Sequence, residues 1–121
     1  LMLSEECPVH DNLKKALCEA TELDTDVLMG TVGFAHRVWM NEPARKVQEI
    51  EARGGGLDEL MPYVSGKAAH RLYETGELDA GTLSCSQSIG LKKRVMPLEE
   101  IVAEMVEEAG AEVRRLTGMG F

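Results

Sequence analysis

Asp79-Ala80-Gly81-Thr82-Leu83-Ser84-Cys85-Ser86-Gln87-Ser88-Ile89-Gly90-Leu91 runs on through Met96-Pro97 into a long amphipathic segment that ends near Leu116. Its first half is rich in small residues, which let a backbone approach a second surface closely. Its second half repeats apolar residues at helical spacing, with Leu98, Ile101, Val102, Met105, Ala109, Val113 and Leu116 on one stripe. Pro97 suits the first helical position, where no internal amide bond is lost. Glu99 and Glu100 suit the positive end of such a helix, and Arg114 and Arg115 its negative end. Full burial of one large apolar side chain is worth about 1.5–3 kcal/mol. The stripe is therefore expected to be core, on the closing helix of a larger body. The apolar opening Leu1-Met2-Leu3, without an initiator Met, carries the same expectation from the other end.

Upstream, the pattern predicts short helices and one or two strands. Leu13, Ala16, Leu17 and Ala20 give one apolar face to a helix over 12–23, with Asp11 placed to cap it. Asp24-Thr25-Asp26 should stop that helix. Val27-Leu28-Met29 then reads as a buried strand ended by Gly30, and 35–40 as a second extended piece that Gly33 lets turn back. Pro43 can sit in the first turn of a helix to Ala52, with Val47 and Ile50 inward. Gly54-Gly55-Gly56 makes a loop. Helices over 57–64 and 67–73 follow, split by Ser65-Gly66, the second ended by Gly76.

The 121 residues suit one domain with a core of its own. Aromatic content is 4%, so that core must be aliphatic and rich in Met. Thirteen basic residues against twenty-one acidic leave a net charge of −8, which repels nucleic-acid backbones and anionic membranes. No apolar run approaches the roughly 20 residues that span a bilayer. Cys7, Cys18 and Cys85 form no Cys-x-x-Cys pair, and His10, His36 and His70 form no His-x-x-x-His, so no metal site is expected. Three reduced thiols in a cytoplasmic protein is the reading that remains.

Chemistry is sparse. The triple glycine is followed by Leu57-Asp58-Glu59, not by the Lys and Ser/Thr that a phosphate loop needs. Glu5-Glu6 and Glu107-Glu108 are adjacent pairs that do not face each other on a helix, and read as solvated faces. Cys85 lies between two serines without a neighbouring base to activate it. His10 and His70 read as surface or cap residues, and His36 is a weak candidate base. Gln87, flanked by Ser86 and Ser88 and followed by Gly90, can donate and accept toward a planar polar ligand. The other reading of Gln87 is a capping or backbone-bonding side chain.

Four stretches together resemble one family. They are 4–17 (Ser-Glu-Glu-Cys-Pro-Val-His-Asp-Asn-Leu-Lys-Lys-Ala-Leu), Asp24-Thr25-Asp26, Ala35-His36-Arg37-Val38-Trp39-Met40-Asn41, and 73–81 running on to Ser86-Gln87-Ser88-Ile89-Gly90-Leu91. In order and spacing they are similar to the C-terminal part of the nitronate monooxygenase (2-nitropropane dioxygenase-like) flavoenzymes, whose architecture the FMN-dependent enoyl-acyl-carrier-protein reductases share. The resemblance implies an α/β parent with an FMN-binding (β/α)8 barrel, of which this chain is the mostly helical C-terminal part. Residues 1–95 would be a small α+β domain on the substrate side and 96–121 the closing barrel helix. The FMN phosphate site and the catalytic base would lie upstream of Leu1. Gln87 and Gly90 match the family pattern and are the residues it implies near flavin or substrate. Cys85-Ser86-Gln87 replaces the usual Ala-Gly-Gln, and Gly90-Leu91-Lys92 the usual Gly-Leu-Ile.

The implied activity is oxidation of an alkyl nitronate with dioxygen to a carbonyl compound and nitrite, with a homodimer left open. A second reading makes the parent an NAD(P)H-using enoyl-thioester reductase. A third is a non-catalytic helical interaction domain, which requires the terminal stripe to be buried within these 121 residues.

Overall fold

The computed structural model describes residues 1–120. Five helices, α1 (Asp11–Glu19), α2 (Glu42–Ala52), α3 (Leu57–Val64), α4 (Gly66–Thr75) and α5 (Leu98–Gly118), surround a small sheet of β1 (Thr25–Leu28), β2 (His36–Trp39) and β3 (Leu83–Ser84). The sheet is antiparallel in the order β1-β2-β3, with Thr25 opposite Trp39, Leu28 opposite His36, and Trp39 opposite Leu83.

The first helix stops at Glu19, four residues before the expected end at Leu23. Local side-chain bonds win there. Thr21 Oγ1 accepts from the Leu23 amide, while the Asp24 carboxylate accepts from the Thr21 amide at 2.7 Å, winding Glu22–Asp24 into a separate 3₁₀ turn. Leu23 consequently faces solvent. His10, not Asp11, caps α1, its Nδ1 accepting from the Asn12 amide at 3.1 Å. The β1–β2 hairpin forms as expected but begins at Thr25, two residues before the expected Val27. The third strand was not foreseen: two residues are too short to show alternation. Helix α2 has Pro43 in its first turn and Val47 and Ile50 inside, as expected. Gly76 ends α4 with φ of +70°. A Cβ at Gly76 would also stand 2.2 Å from His10 Nδ1, so only glycine lets the α4 end pack on the α1 cap.

Strand side chains alternate between faces, and the sheet uses this to divide two cores. Leu28 and Val38 face one way, packing with Val47, Ile50 and Leu60 of α2 and α3. Trp39 and Leu83 face the other way, packing with Leu13, Leu17 and Leu72 of α1 and α4, and with Ile89. Asn41 joins the two halves. It is buried, its Oδ1 accepts from the Ala44 amide, and its Nδ2 donates to the carbonyls of Leu78 and Gly81, both at 2.8 Å. The turn it holds packs so tightly on α4 that a Cβ on Gly81 would meet Ala68 at 2.8 Å.

The N-terminal segment lies beside residue 96, with Ser4 and Met96 in a parallel bridge. Lys14, itself buried, donates from Nζ to the carbonyls of Ser4 (2.8 Å) and Glu5 (3.2 Å). The Glu6 carboxylate reaches the first amide of α5, at Leu98, at 2.8 and 3.1 Å. Glu6 thus caps a helix, where a merely solvated face had been expected, and its charge suits that positive end. Pro97 is the residue before the helix instead of its first.

Helix α5 is the least covered element, as the closing helix of a larger body would be. Of its apolar stripe only Ile101 is buried, at 7% exposure, whereas Val102 is 47%, Val113 63% and Leu116 41% exposed. The stripe is not core within this chain. The reason is geometric: 21 residues at about 1.5 Å each make a rod of roughly 30 Å, and only its first turns touch the body. None of the helices is long and apolar enough to cross a membrane, among the described residues.

Candidate functional site

The small-residue stretch is shaped by what its neighbours bury. Leu83 sits in the core beside Trp39, and the Cys85 amide bonds the Arg37 carbonyl at 3.1 Å. Ser86 then caps a 3₁₀ turn over Gln87–Gly90, its hydroxyl accepting from the Ser88 amide. Ile89 plunges into the second core. Gly90 is needed because a Cβ there would lie 2.6 Å from Glu22 Oε2 and 2.9 Å from the Glu22 amide nitrogen. That close approach is between two elements of the protein itself. Gln87 is exposed, and its carboxamide makes no hydrogen bond among the described residues.

Beside this turn lies a groove of about 460 Å³, walled by Leu1–Leu3, by Cys85, Ile89 and Met96, and by Ile101 and Met105 of α5. Lys92 and Arg94 stand at its edge. Ser86 and Ser88 line it, but Gln87 does not. The two residues matched to the family pattern are thus separated in role: Gly90 packs inward and Gln87 points outward beside the groove.

The groove is apolar and offers little reactivity. Burial pushes the Cys85 thiol up, against an opposing pull from the Arg37 charge. Burial likewise raises Cys18, with Lys93 opposing and Glu19 adding. Both are held as thiols, away from the nucleophilic form. All three cysteines are free. The histidines do not converge: His10 caps α1, His36 Nδ1 lies 3.0 Å from the Phe34 carbonyl, and His70 pairs with Glu74 on the surface of α4. Nor do three His, Cys, Asp or Glu side chains gather at one point among the described residues.

A structural carboxylate that the sequence did not suggest is Glu51. It accepts from the amides of Met29 (2.9 Å) and Thr31 (3.2 Å) and from the Thr31 hydroxyl (2.7 Å), clamping the hairpin turn. Met29 there adopts φ of +63°, an unfavourable region for a side-chain-bearing residue that costs about 1–2 kcal/mol. Burial raises the Glu51 carboxyl, but the three hydrogen bonds outweigh it and leave it below its ordinary value. A carboxylate so lowered adds stability in full above the ordinary glutamate pKa and loses it as pH falls through the lowered value. Acid titration should therefore raise amide exchange at Met29 and Thr31 before the cores open. In Glu51→Gln that early step should vanish.

An FMN phosphate finds no cradle among the described residues. The cations nearest the turn are engaged: Lys92 and Arg94 by glutamates of α5, and Lys93 by the Ala20 carbonyl. Around the turn the chain presents the exposed Gln87 carboxamide and an apolar wall. Neither the carboxamide nor the wall could hold FMN unaided.

No protein-family model matches the chain. Among solved structures it is similar to FabK from Thermotoga maritima, with a TM-score of 0.83 and 28% identity, over 97% of this chain and 37% of that one. A point mutant of the same FabK gives a TM-score of 0.73 and 26% identity, over 97% of this chain and 33% of that one. The chain therefore spans about a third of the length of the structures it matches, and its fold, mostly helical with a small sheet, is that of a segment of FabK.

Proposed function

We propose that this chain is the small domain and terminal helix of an FMN-dependent oxidoreductase, residues 1–95 bordering the substrate and 96–121 closing the barrel. FabK is an enoyl-acyl-carrier-protein reductase of the FMN TIM-barrel type, and reduction of an enoyl thioester is the activity this likeness favours. The observation that carries the reading is the agreement over 97% of the chain at a TM-score of 0.83. The uncovered stripe of α5 supports it, since the third reading, a self-contained interaction domain, required that stripe to be sheltered.

Bound FMN would supply the hydride chemistry between NAD(P)H and the enoyl thioester. This chain's share is positional. The 83–91 stretch is pinned at Leu83, Ile89 and Gly90 and so presents a fixed wall, on which the Gln87 carboxamide can meet a planar polar group. The apolar groove excludes water from what lies against it. Nitronate oxidation is the competing activity, favoured by the Glu5-Glu6-Cys7-Pro8 and Glu77-Leu78-Asp79-Ala80-Gly81 stretches that resemble the monooxygenases. The intact FMN-loaded protein containing this chain should be assayed on both substrates. NADPH oxidation dependent on an enoyl thioester supports the reductase; oxygen uptake with propionate 3-nitronate and no NADPH oxidation selects the monooxygenase. Neither activity in a flavin-loaded protein would reject both.

A further inference from the structure

Helix α5 is seated on the body by very few groups. The Glu6 carboxylate holds its first amide, and Ile101 alone of its apolar side chains is buried. Along one side, however, Glu100, Glu104 and Glu108 recur every four residues and so stand one above another. The segment after the 3₁₀ turn runs past them. Lys92 Nζ lies 2.5 Å from Glu104 and 3.9 Å from Glu108, and the Arg94 guanidinium 3.5 Å from Glu100 and 3.7 Å from Glu104. Glu104 is shared by both cations.

We propose that Lys92 and Arg94, interleaved with Glu100, Glu104 and Glu108, form an ionic latch that sets the angle of α5 on the body and hence the width of the apolar groove beneath it. The groove's α5 wall is Ile101 and Met105, within a turn of Glu104, and its edge is Lys92 and Arg94 themselves. Rotating α5 outward would therefore break the latch and widen the groove in one movement. Single exposed ion pairs hold little. Here two cations and three carboxylates share contacts, and Lys92 and Glu104 are each only about a third exposed, at 34% and 37%. The pairing with Glu104 raises the Lys92 ammonium, and the same bond lowers the Glu104 carboxyl. Salt screens such a network over about 8–10 Å at ordinary ionic strength and over roughly 3 Å near 1 M. The groove then responds to ionic strength, and to any polyanion or polycation that competes for one side of the latch.

The test uses the 121-residue chain and needs no flavin or substrate, so its outcome is independent of the enzymatic reading. Amide exchange over 91–105 and the alkylation rate of Cys85, which lines the groove, are followed by mass spectrometry at low and high salt. High salt should raise both several-fold. Lys92→Met and Glu104→Gln should each raise both at low salt and weaken the salt response, which the remaining Arg94–Glu100 pair carries on, and the double variant should add less than the sum of the two, as expected of a shared contact. Lys46→Met, which breaks an unrelated surface pair with Glu49, should change neither readout. Exchange and alkylation that ignore salt in the unmodified chain, or a salt response that is undiminished in both variants, would overturn the latch.

Discussion

Replacing Asn41 with Ala is expected to cost about 3 kcal/mol, because it orphans two buried backbone groups and one part-buried one at roughly 1–3 kcal/mol apiece. The groups are the Leu78 and Gly81 carbonyls and the Ala44 amide, each bonded only through the one carboxamide. The Ala44 bond is also the N-cap of α2, whose loss alone is worth about 1 kcal/mol. Gly81 is pressed against Ala68 and cannot move inward to close the gap. The Asp79 carboxylate would still hold the Glu42 amide at 3.0 Å, keeping the turn nearby but not in register. The consequence for the site is direct, because residues 78–81 deliver Leu83 and the turn that follows it. Urea unfolding of Asn41→Ala beside Lys46→Ala, an exposed change worth under about 0.5 kcal/mol, measures it. A loss below about 1 kcal/mol for Asn41→Ala would show the junction to be held by something else.

The second large effect depends on context. Val113→Glu together with Leu116→Glu should leave the stability of the 121-residue chain within about 0.5 kcal/mol, since both side chains already face water. In the larger flavoenzyme proposed above the same pair should be ruinous. If the stripe there is sheltered against a barrel, the change buries two unpaired carboxylates and forfeits about 1.5–3 kcal/mol of apolar burial per residue. Loss of bound flavin, or of the folded enzyme itself, is the expected readout. Equal tolerance in both settings would mean that α5 faces solvent in the intact protein too.

How much of this could be read from residues alone follows the range of the forces. Apolar spacing over ten residues or more placed α2 and α5, and glycine placed the turns at Gly33, Gly54 and Gly76, because those signals are local. The early stop of α1 was missed because Thr21 and Asp24 form a cap that competes with apolar spacing, although the Thr-x-x-Asp pattern was there to see. The third strand was missed because two residues carry no period. Asn41, Lys14 and Glu51 were given no such role, and Glu6 was read as a solvated face, because each acts on backbone that its own position gives no hint of. The hydrogen bonds of Asn41 to Leu78 and Gly81 span 37 and 40 residues, and that of Glu6 to Leu98 spans 92. Of the candidate site, the tight packing around 83–91 was readable in its small residues. The reason for Gly90 was not: the sequence suggested room for a ligand, and the structure fills that room with Glu22.

Amide exchange along α5, in the 121-residue chain and in the intact protein, bears most directly on whether this helix is a seam to a flavin-binding body. Beyond Met105 the isolated chain should show little protection, because those turns lack tertiary cover, and the intact protein should protect the same amides roughly 100-fold more. Strong protection of residues 106–116 in the dilute isolated chain would contradict it.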